Sequence, residues 1–322
     1  MGKGFIGLIQ LTLAWTFVLL IGSASGDYKQ AVAYYMQGKY DKAIQELKPD
    51  LEQNPEWEFG HRLVGLSYLN LKNNALAISS LTRAVQLKST AFSTYMGLGQ
   101  AYFNMQKYDT CIQSLNQGEP FLAKEKESEK YKLYHFRGSA YFRLDKHGEA
   151  IADLAAAIRI QPTEWTDFSQ MGIAYYNLRR EDDAIQALQK AAALKPGMSI
   201  IAEYLGKAYL RKGIEALSAK QYSSAADLLR KATEFNPKDG FAQYNLGEAY
   251  LFLKNNAEAE KALNQALELM PKSPDVYVRL GLVYEKLKKW DQSLNAYQKA
   301  SELNPSAGIK EAIARVMEAK KR

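Results

Sequence analysis

Residues 276–305, VYVRLGLVYEKLKKWDQSLNAYQKASELNP, have the pattern of two helices joined by a turn. Tyr277, Leu280 and Tyr284 recur at intervals of three and four residues, which places them on one face of a helix. A second helix follows the turn and ends at Pro305, because proline cannot continue a helix. This stretch therefore predicts a helical hairpin.

The same pattern returns along nearly the whole chain. A tyrosine in the equivalent position recurs eight times, and seven of these tyrosines have a glycine three residues earlier, while the first has Ala31 there. The tyrosines are Tyr34, Tyr68, Tyr102, Tyr141, Tyr175, Tyr209, Tyr250 and Tyr284. Five of their intervals are 34 residues, one is 39 and one is 41, so the chain contains a 34-residue repeat with insertions of five and seven residues.

A small residue in the second helix of each repeat would let the two helices approach closely. This position holds Ala43, Ala77, Cys111, Ala150, Ala184, Ala225, Ala259 and Ser293. With these features, residues 24–307 resemble the tetratricopeptide repeat family. The resemblance implies an all-α fold, a right-handed superhelical solenoid of eight helix-turn-helix units over residues 27–305. Residues 306–322 would then form a C-terminal capping helix.

The two insertions predict local departures from this regular array. The first, near residues 119–130, is rich in charged side chains and predicts a solvent-exposed elbow or an extended helix end. Such an insertion could present a partner-binding loop, although tolerated surface decoration is the commoner case. The second, near residues 210–220, falls between Tyr209 and Ala225 and continues the apolar stripe, so it predicts a first helix that is longer by two turns.

Residues 1–26 have the composition of a secretory signal peptide. Lys3 is their only charge, residues 5–22 are mostly apolar, and small residues follow. The alternative is an uncleaved membrane anchor, because the apolar run is about 18 residues long, the lower limit for spanning a bilayer. In either case we expect an exported protein, periplasmic or extracellular, that contacts a membrane only if residues 5–22 remain attached as an anchor.

The sequence contains no pattern that predicts catalysis, a metal site or a cofactor. The three histidines, His61, His135 and His147, have no second ligand at helical spacing, and no phosphate-binding loop or nucleophile motif occurs. The 42 basic and 35 acidic residues give a net charge of +7 but alternate along the chain, which is typical of a solvated surface. We therefore expect neither an enzyme nor a nucleic-acid-binding protein. Cys111 is the only cysteine, which excludes an intrachain disulfide.

The family resemblance implies that the first helix of each unit lines a concave groove that binds a protein or peptide. Amide side chains suit an extended peptide, since each can pair with backbone groups, and aromatic rings supply buried area. The predicted partner-binding residues are Phe59, Arg62, Asn70, Gln100, Phe103, Asn104, Phe142, Arg143, Tyr176, Asn177, Lys207, Tyr244, Asn245 and Arg279. Alternatively, Asn70, Asn104 and Asn177 satisfy local backbone groups beside the turns.

Some members of this family bind a terminal carboxylate with a five-residue clamp. Asn245 and Arg279 match two of its positions, whereas Glu203, Lys207 and Asp275 do not match the other three. Because Glu203 and Asp275 would repel a carboxylate, the sequence argues against that ligand. We predict a non-enzymatic adaptor that holds an envelope or secreted protein. The alternatives are a permanent structural subunit of a larger assembly and an accessory subunit of an enzyme complex.

Overall fold

The computed structural model describes residues 28–321, and the chain divides into two compact units, Met1–Pro162 and Thr163–Arg322. The predicted signal segment and the last residue lie outside the described range. Every regular element in that range is helical, and consecutive helices pack in pairs, so the predicted all-α class and the helical hairpins are confirmed.

The first unit contains four helical hairpins, numbered in chain order. Their helices are α1 (Tyr28–Met36) and α2 (Tyr40–Gln53), α3 (Glu58–Asn70) and α4 (Asn74–Gln86), α5 (Phe92–Asn104) and α6 (Tyr108–Gly118), and α7 (Glu127–Arg143) and α8 (His147–Ile160). A 3₁₀ segment, Glu119–Lys124, joins α6 to α7.

The second unit contains hairpins five to eight and a final helix. These are α9 (Trp165–Asn177) and α10 (Glu181–Leu194), α11 (Ser199–Ser218) and α12 (Tyr222–Phe235), α13 (Gly240–Phe252) and α14 (Asn256–Leu269), α15 (Pro274–Lys286) and α16 (Trp290–Leu303), and α17 (Ala307–Lys321). Helix α17 covers the last hairpin by packing Ile309 and Val316 against Tyr297 and Ala300.

The small residues of the repeat lie where the two helices of a hairpin touch. Ala77 and Ala150 are fully buried. A Cβ atom added to Gly65 would lie only 2.6 Å from Cγ of Leu81, so a larger residue there would force the helices apart. A glycine makes the same close approach in hairpins two to eight, whereas hairpin one has Ala31 in this position.

The repeat tyrosine marks the end of the first helix. Its carbonyl oxygen accepts a hydrogen bond from the backbone N–H five residues later, for example from Asn73 to Tyr68 at 2.9 Å and from Arg180 to Tyr175 at 2.9 Å. The residue before that N–H has a positive φ, 61° at both Lys72 and Arg179. This geometry closes the helix and turns the chain into the second helix.

Hairpin six has a different register from the one that the sequence predicted. The equivalent bond there runs from Gln221 to the carbonyl of Ala216, at 2.9 Å, and the close approach to Leu229 is made by Gly213. Ala216 thus occupies the tyrosine position that the repeat spacing assigned to Tyr209. The extra seven residues lie before Gly213, and the spacing was ambiguous because seven residues make nearly two whole turns and keep the same face.

Most residues of the first insertion are exposed, as the sequence predicts, but two apolar side chains pack it against the first unit. Leu122 is only 6% exposed, and the ring of Phe121 stacks on Tyr95 with 5.4 Å between centroids. Apolar side chains hidden among the charges therefore anchor the 3₁₀ segment. The extended helix end is present, because α7 has 17 residues where α5 has 13.

Candidate functional site

The predicted binding residues Phe59 and Arg62 of hairpin two already contact other side chains of the first unit. Phe59 is 6% exposed and lies within 6.0 Å of the Tyr28 ring, so its ring belongs to the core. The guanidinium of Arg62 lies 5.0 Å from the centre of that ring and 3.0 Å from the Glu58 carboxylate. These contacts leave little accessible side-chain surface on Phe59 or Arg62 for a ligand.

The amides of the first unit bond to the protein itself. Asn70 Nδ2 donates to the carbonyl of Leu66 at 2.8 Å, one turn back on its own helix. Asn104 Nδ2 donates to Oδ1 of Asn74, in the preceding hairpin, at 3.1 Å. The local backbone bonding that the sequence offers as the alternative is therefore present at Asn70, whereas the partner of Asn104 is a side chain of another hairpin. Both side chains are exposed, and each retains further hydrogen-bonding capacity.

The remaining predicted residues of the first unit form an aromatic surface on hairpins three and four. The half-buried ring of Phe103 meets the ring of Phe136 edge-on at 5.4 Å. Gln100 and Phe142 are half-buried, and Arg143 is exposed. These four predicted residues thus lie on first helices with part of each side chain accessible.

Two tyrosines and two cations form a connected cluster in the second unit. The rings of Tyr176 and Tyr204 meet edge-on at 5.4 Å, and the guanidinium of Arg211 lies 3.8 Å from the centre of Tyr176. Arg211 also donates to the Tyr176 carbonyl at 3.0 Å and to Glu181 at 2.6 Å. The Lys207 ammonium lies 4.8 Å from the centre of Tyr204. The cluster joins the first helices of hairpins five and six.

Each charge of this cluster has a partner within the protein. The bond from Lys207 to Glu203, at 2.6 Å, raises the pKa of Lys207, because the carboxylate stabilises the ammonium form. Arg211 forms an ion pair with Glu181 at 2.6 Å. Asn177, at the end of the same face, is exposed. The cluster therefore offers aromatic surface with little net charge.

Hairpins seven and eight contain a second cluster around Arg279. Burial lowers the pKa of Arg279, but the Tyr244 hydroxyl and the Glu248 carboxylate outweigh this effect, so the net pKa is raised. Arg279 Nε donates to Tyr244 Oη at 3.3 Å, and Nη2 lies 2.5 Å from Glu248. The Asn245 amide donates to the carbonyl of Phe241 at 2.7 Å. The two residues that match a carboxylate clamp, Asn245 and Arg279, are thus already engaged.

Three exposed apolar residues on the first helices of hairpins six and seven were not predicted from the sequence. Ile214 is 41% exposed, Phe252 51% and Phe241 66%. Ile214 lies in the second insertion, where spacing counted from Tyr209 hides its repeat position. Phe241 and Phe252 follow Phe59 and Asn104 in repeat position, so comparison of equivalent positions could have found them.

A cleft of about 440 Å³ lies beside the extended helix α11. It is lined by Glu181, Asp182, Lys212, Glu215, Ala216, Ala219, Gln221, Ser224 and Leu228. Asp182 forms an ion pair with Lys212 across it. Across residues 28–321, no group of three or more His, Cys, Asp or Glu side chains is placed to hold a metal ion. The helices of that range also include none with the length and hydropathy to cross a bilayer.

Family models described as tetratricopeptide repeat match most of the chain. The matched residues are 26–48, 92–118, 131–164, 170–222, 216–268 and 274–307. No curated protein matches.

Several solved structures are similar to parts of the chain. MamA AMB-1 is 24% identical, with 57% of this chain and 97% of that one covered and a TM-score of 0.43. MamA 41-end from Desulfovibrio magneticus RS-1 is 27% identical, with 55% and 97% covered and a TM-score of 0.39. The first TPR of Spaghetti (RPAP3), bound to an HSP90 peptide, is 23% identical, with 37% and 96% covered and a TM-score of 0.37.

Proposed function

We propose, from the premise that this chain belongs to the tetratricopeptide repeat family, that it is a non-enzymatic scaffold that holds a partner protein against its first helices. The partner is a peptide segment or helix of an envelope or secreted protein, and binding assembles or stabilises a complex. Within each unit, consecutive hairpins present their first helices side by side to such a ligand.

The observation that carries this proposal is the concentration of accessible aromatic and apolar side chains on first helices. Phe103 and Phe142 in the first unit, and Tyr176, Tyr204 and Phe241 in the second, all lie there. Aromatic side chains dominate the energetics of protein interfaces because they bury large areas at low entropic cost. A partner that covers those of either unit buries this area.

The proposed location is outside the cytoplasm. It is supported by residues 1–26, where a single charge precedes an apolar stretch and small residues. Edman sequencing of the protein purified from its native source tests it. A mature chain that begins near Asp27 supports export with cleavage. Recovery of the intact N-terminus in the membrane fraction supports an anchor, and recovery in the cytosol contradicts export.

The scaffold function is tested by affinity capture of the full-length protein from its native source, with mass spectrometry of the retained proteins. The groove variant is Arg143→Glu with Asn104→Ala, two exposed residues on first helices. Arg159→Glu is the matched control, because Arg159 is an exposed residue of the second helix of hairpin four and undergoes the same charge change. We expect the groove variant to lose partners that the control retains.

Other outcomes separate the alternative functions. One stoichiometric, salt-resistant partner that both variants retain would indicate a structural subunit that associates through another face. A retained partner with catalytic activity would indicate an accessory subunit of an enzyme complex. Turnover by the isolated chain would contradict a non-enzymatic role.

A further inference from the structure

The first helices of hairpins six and seven present equivalent stripes of side chains. In α13 the stripe is Phe241, Asn245, Glu248 and Phe252, at intervals of four, three and four residues. In α11 the corrected register gives the equivalent stripe as Lys207, Arg211, Ile214 and Ser218. Residues so spaced share one face of a helix.

Contacts show which side of the hairpins these stripes face. Arg211 covers Tyr176 on the first helix of the preceding hairpin, and Glu248 pairs with Arg279 on the first helix of the following one. Both stripes therefore lie on the side where consecutive first helices meet. Ile214, Phe241 and Phe252 consequently belong to one surface, which we call the apolar stripe surface.

The polar groups of this surface are already bonded within the second unit. Lys207 pairs with Glu203 at 2.6 Å, Arg211 with Glu181 at 2.6 Å, and Glu248 with Arg279 at 2.5 Å. The side-chain amide of Asn245 donates to a backbone carbonyl of its own helix. A charged ligand would have to displace one of these partners before it gained an ion pair.

The apolar groups of the same surface have no such cover. Phe241, 66% exposed, is the most exposed large apolar side chain among residues 28–321, and Phe252 is 51% exposed. The ring of Phe252 stacks on Tyr222 at 4.5 Å, which fixes one of its faces and leaves the other accessible. A ligand therefore gains most binding free energy by burying the apolar side chains of this surface.

We infer that the apolar stripe surface binds an uncharged partner segment that carries large aliphatic or aromatic side chains. This inference rests on the proposed scaffold function and specifies the chemistry of one ligand. It assigns Phe241, Ile214 and Phe252 as the anchoring residues. It differs from recognition of a terminal carboxylate, because the cations that would contact a carboxylate are neutralised by Glu203, Glu181 and Glu248.

The test uses the full chain and phage-displayed random dodecapeptides as the probe, followed by titration with synthetic peptides of the enriched sequences. We expect uncharged sequences rich in Phe, Leu or Ile. Their affinity should change by less than about twofold between about 50 mM and about 500 mM salt, because salt screens charges and not apolar contacts.

Serine substitutions locate the binding surface. Phe241→Ser with Ile214→Ser should weaken peptide binding by about tenfold or more, as expected of anchoring residues. The control is Leu269→Ser with Leu303→Ser, which changes two other exposed apolar residues, 39% and 44% exposed, at the ends of second helices. The control should bind like the unmodified chain. Circular dichroism melting of both variants checks that folding is retained.

Several results would overturn the inference. These are enrichment of acidic peptides, absence of any enriched peptide, and equal binding by the serine variant and the control. A dimer in analytical ultracentrifugation that only the Phe241 variant dissolves would assign the surface to a second copy of the chain. Peptide binding that appears only after removal of residues 1–26 would assign it to the apolar N-terminal segment.

Native capture separates failure of this inference from failure of the scaffold function. If the native partner is lost from the Arg143 variant but retained by the Phe241 variant, the scaffold function stands and the apolar stripe surface is not its binding site. If neither variant loses a partner, the scaffold function itself fails.

Discussion

The guanidinium of Arg137 and the carboxylate of Asp153 form a two-bond ion pair inside hairpin four. Nε donates to Oδ2 at 2.7 Å and Nη2 to Oδ1 at 2.9 Å, and each residue is only 8% exposed. Arg137 precedes the helix-contact glycine, where Val64 and Leu98 occupy the equivalent positions of hairpins two and three. An ion pair thus replaces an apolar contact of the regular repeat.

The same guanidinium holds the five-residue insertion. Arg137 Nη1 donates to Glu119 at 2.7 Å and to the Asn116 side-chain oxygen at 2.8 Å. Burial lowers the pKa of Arg137, but Asp153 and Glu119 outweigh it and raise the net pKa above its usual range. The guanidinium therefore stays charged and links α6, α8 and the 3₁₀ segment.

Removal of the Asp153 carboxylate should destabilise the first unit strongly. Asp153→Ala leaves a buried guanidinium with only part of its compensation, and we expect a loss of about 3 kcal/mol in the free energy of unfolding. Urea unfolding followed by circular dichroism measures it. Lys130→Ala, which breaks the partly exposed pair with Glu127, should cost less than about 1 kcal/mol.

Replacement of both partners separates charge burial from packing. Arg137→Leu with Asp153→Ala should recover most of the stability lost in Asp153→Ala, because apolar residues fill this position in neighbouring hairpins. A double variant as unstable as the single one would show that the link to Glu119 contributes more than the burial of charge costs.

Gly213 should be intolerant of a side chain if it makes the helix contact of hairpin six. An added Cβ would lie 2.6 Å from Cγ of Leu229, so Gly213→Ala should destabilise by about 1–3 kcal/mol through overpacking. Gly308→Ala is the control, since nothing lies within 4 Å of a Cβ there, and it should stabilise α17 by roughly 0.5–1 kcal/mol. A neutral Gly213→Ala would contradict the corrected register.

Stability should fall at alkaline pH through Tyr297. Burial, with a smaller effect of Glu285, raises the pKa of Tyr297 to about 12 from the usual value of about 10. The folded state therefore holds the phenolic proton more tightly, so the stabilisation is present below about pH 10 and is lost as pH rises through about 12. Tyr297→Phe should flatten the decline in urea midpoint over this window. An equal decline in urea midpoint with pH in the unmodified chain and in Tyr297→Phe would contradict this role of Tyr297.

Cys111 should be unreactive in the folded protein. It is fully buried, and burial raises the pKa of its thiol to about 12. Because the thiolate is the reactive form, labelling by a chromogenic disulfide reagent at pH 8 should be at least about a thousandfold slower than in guanidinium chloride. Cys111→Ala should fold normally, since alanine holds the equivalent position in other hairpins. Fast labelling of the folded chain would show that hairpin three opens readily.

Much of the fold could be predicted from the sequence because residues with the same structural role recur at the same position of the repeat. Gly65 and Ala77 lie where helices touch, and the tyrosine carbonyls end the first helices, so recurrence of these residue types predicted the hairpins. Phe103, Arg143 and Tyr176 lie on the predicted helices with accessible surface, since position within the repeat fixes the face.

The sequence by itself determined the local elements: a 34-residue period, small residues at contacts and helices of known face. Only the tertiary structure decided the register of hairpin six, the packing of Phe121 and Leu122, and the burial of Phe59. It also decided which charges neutralise one another. Phe241 is therefore left as the most exposed apolar side chain of its surface. The physical reason is that periodicity is a local property, whereas burial and ion pairing depend on residues brought together from different hairpins.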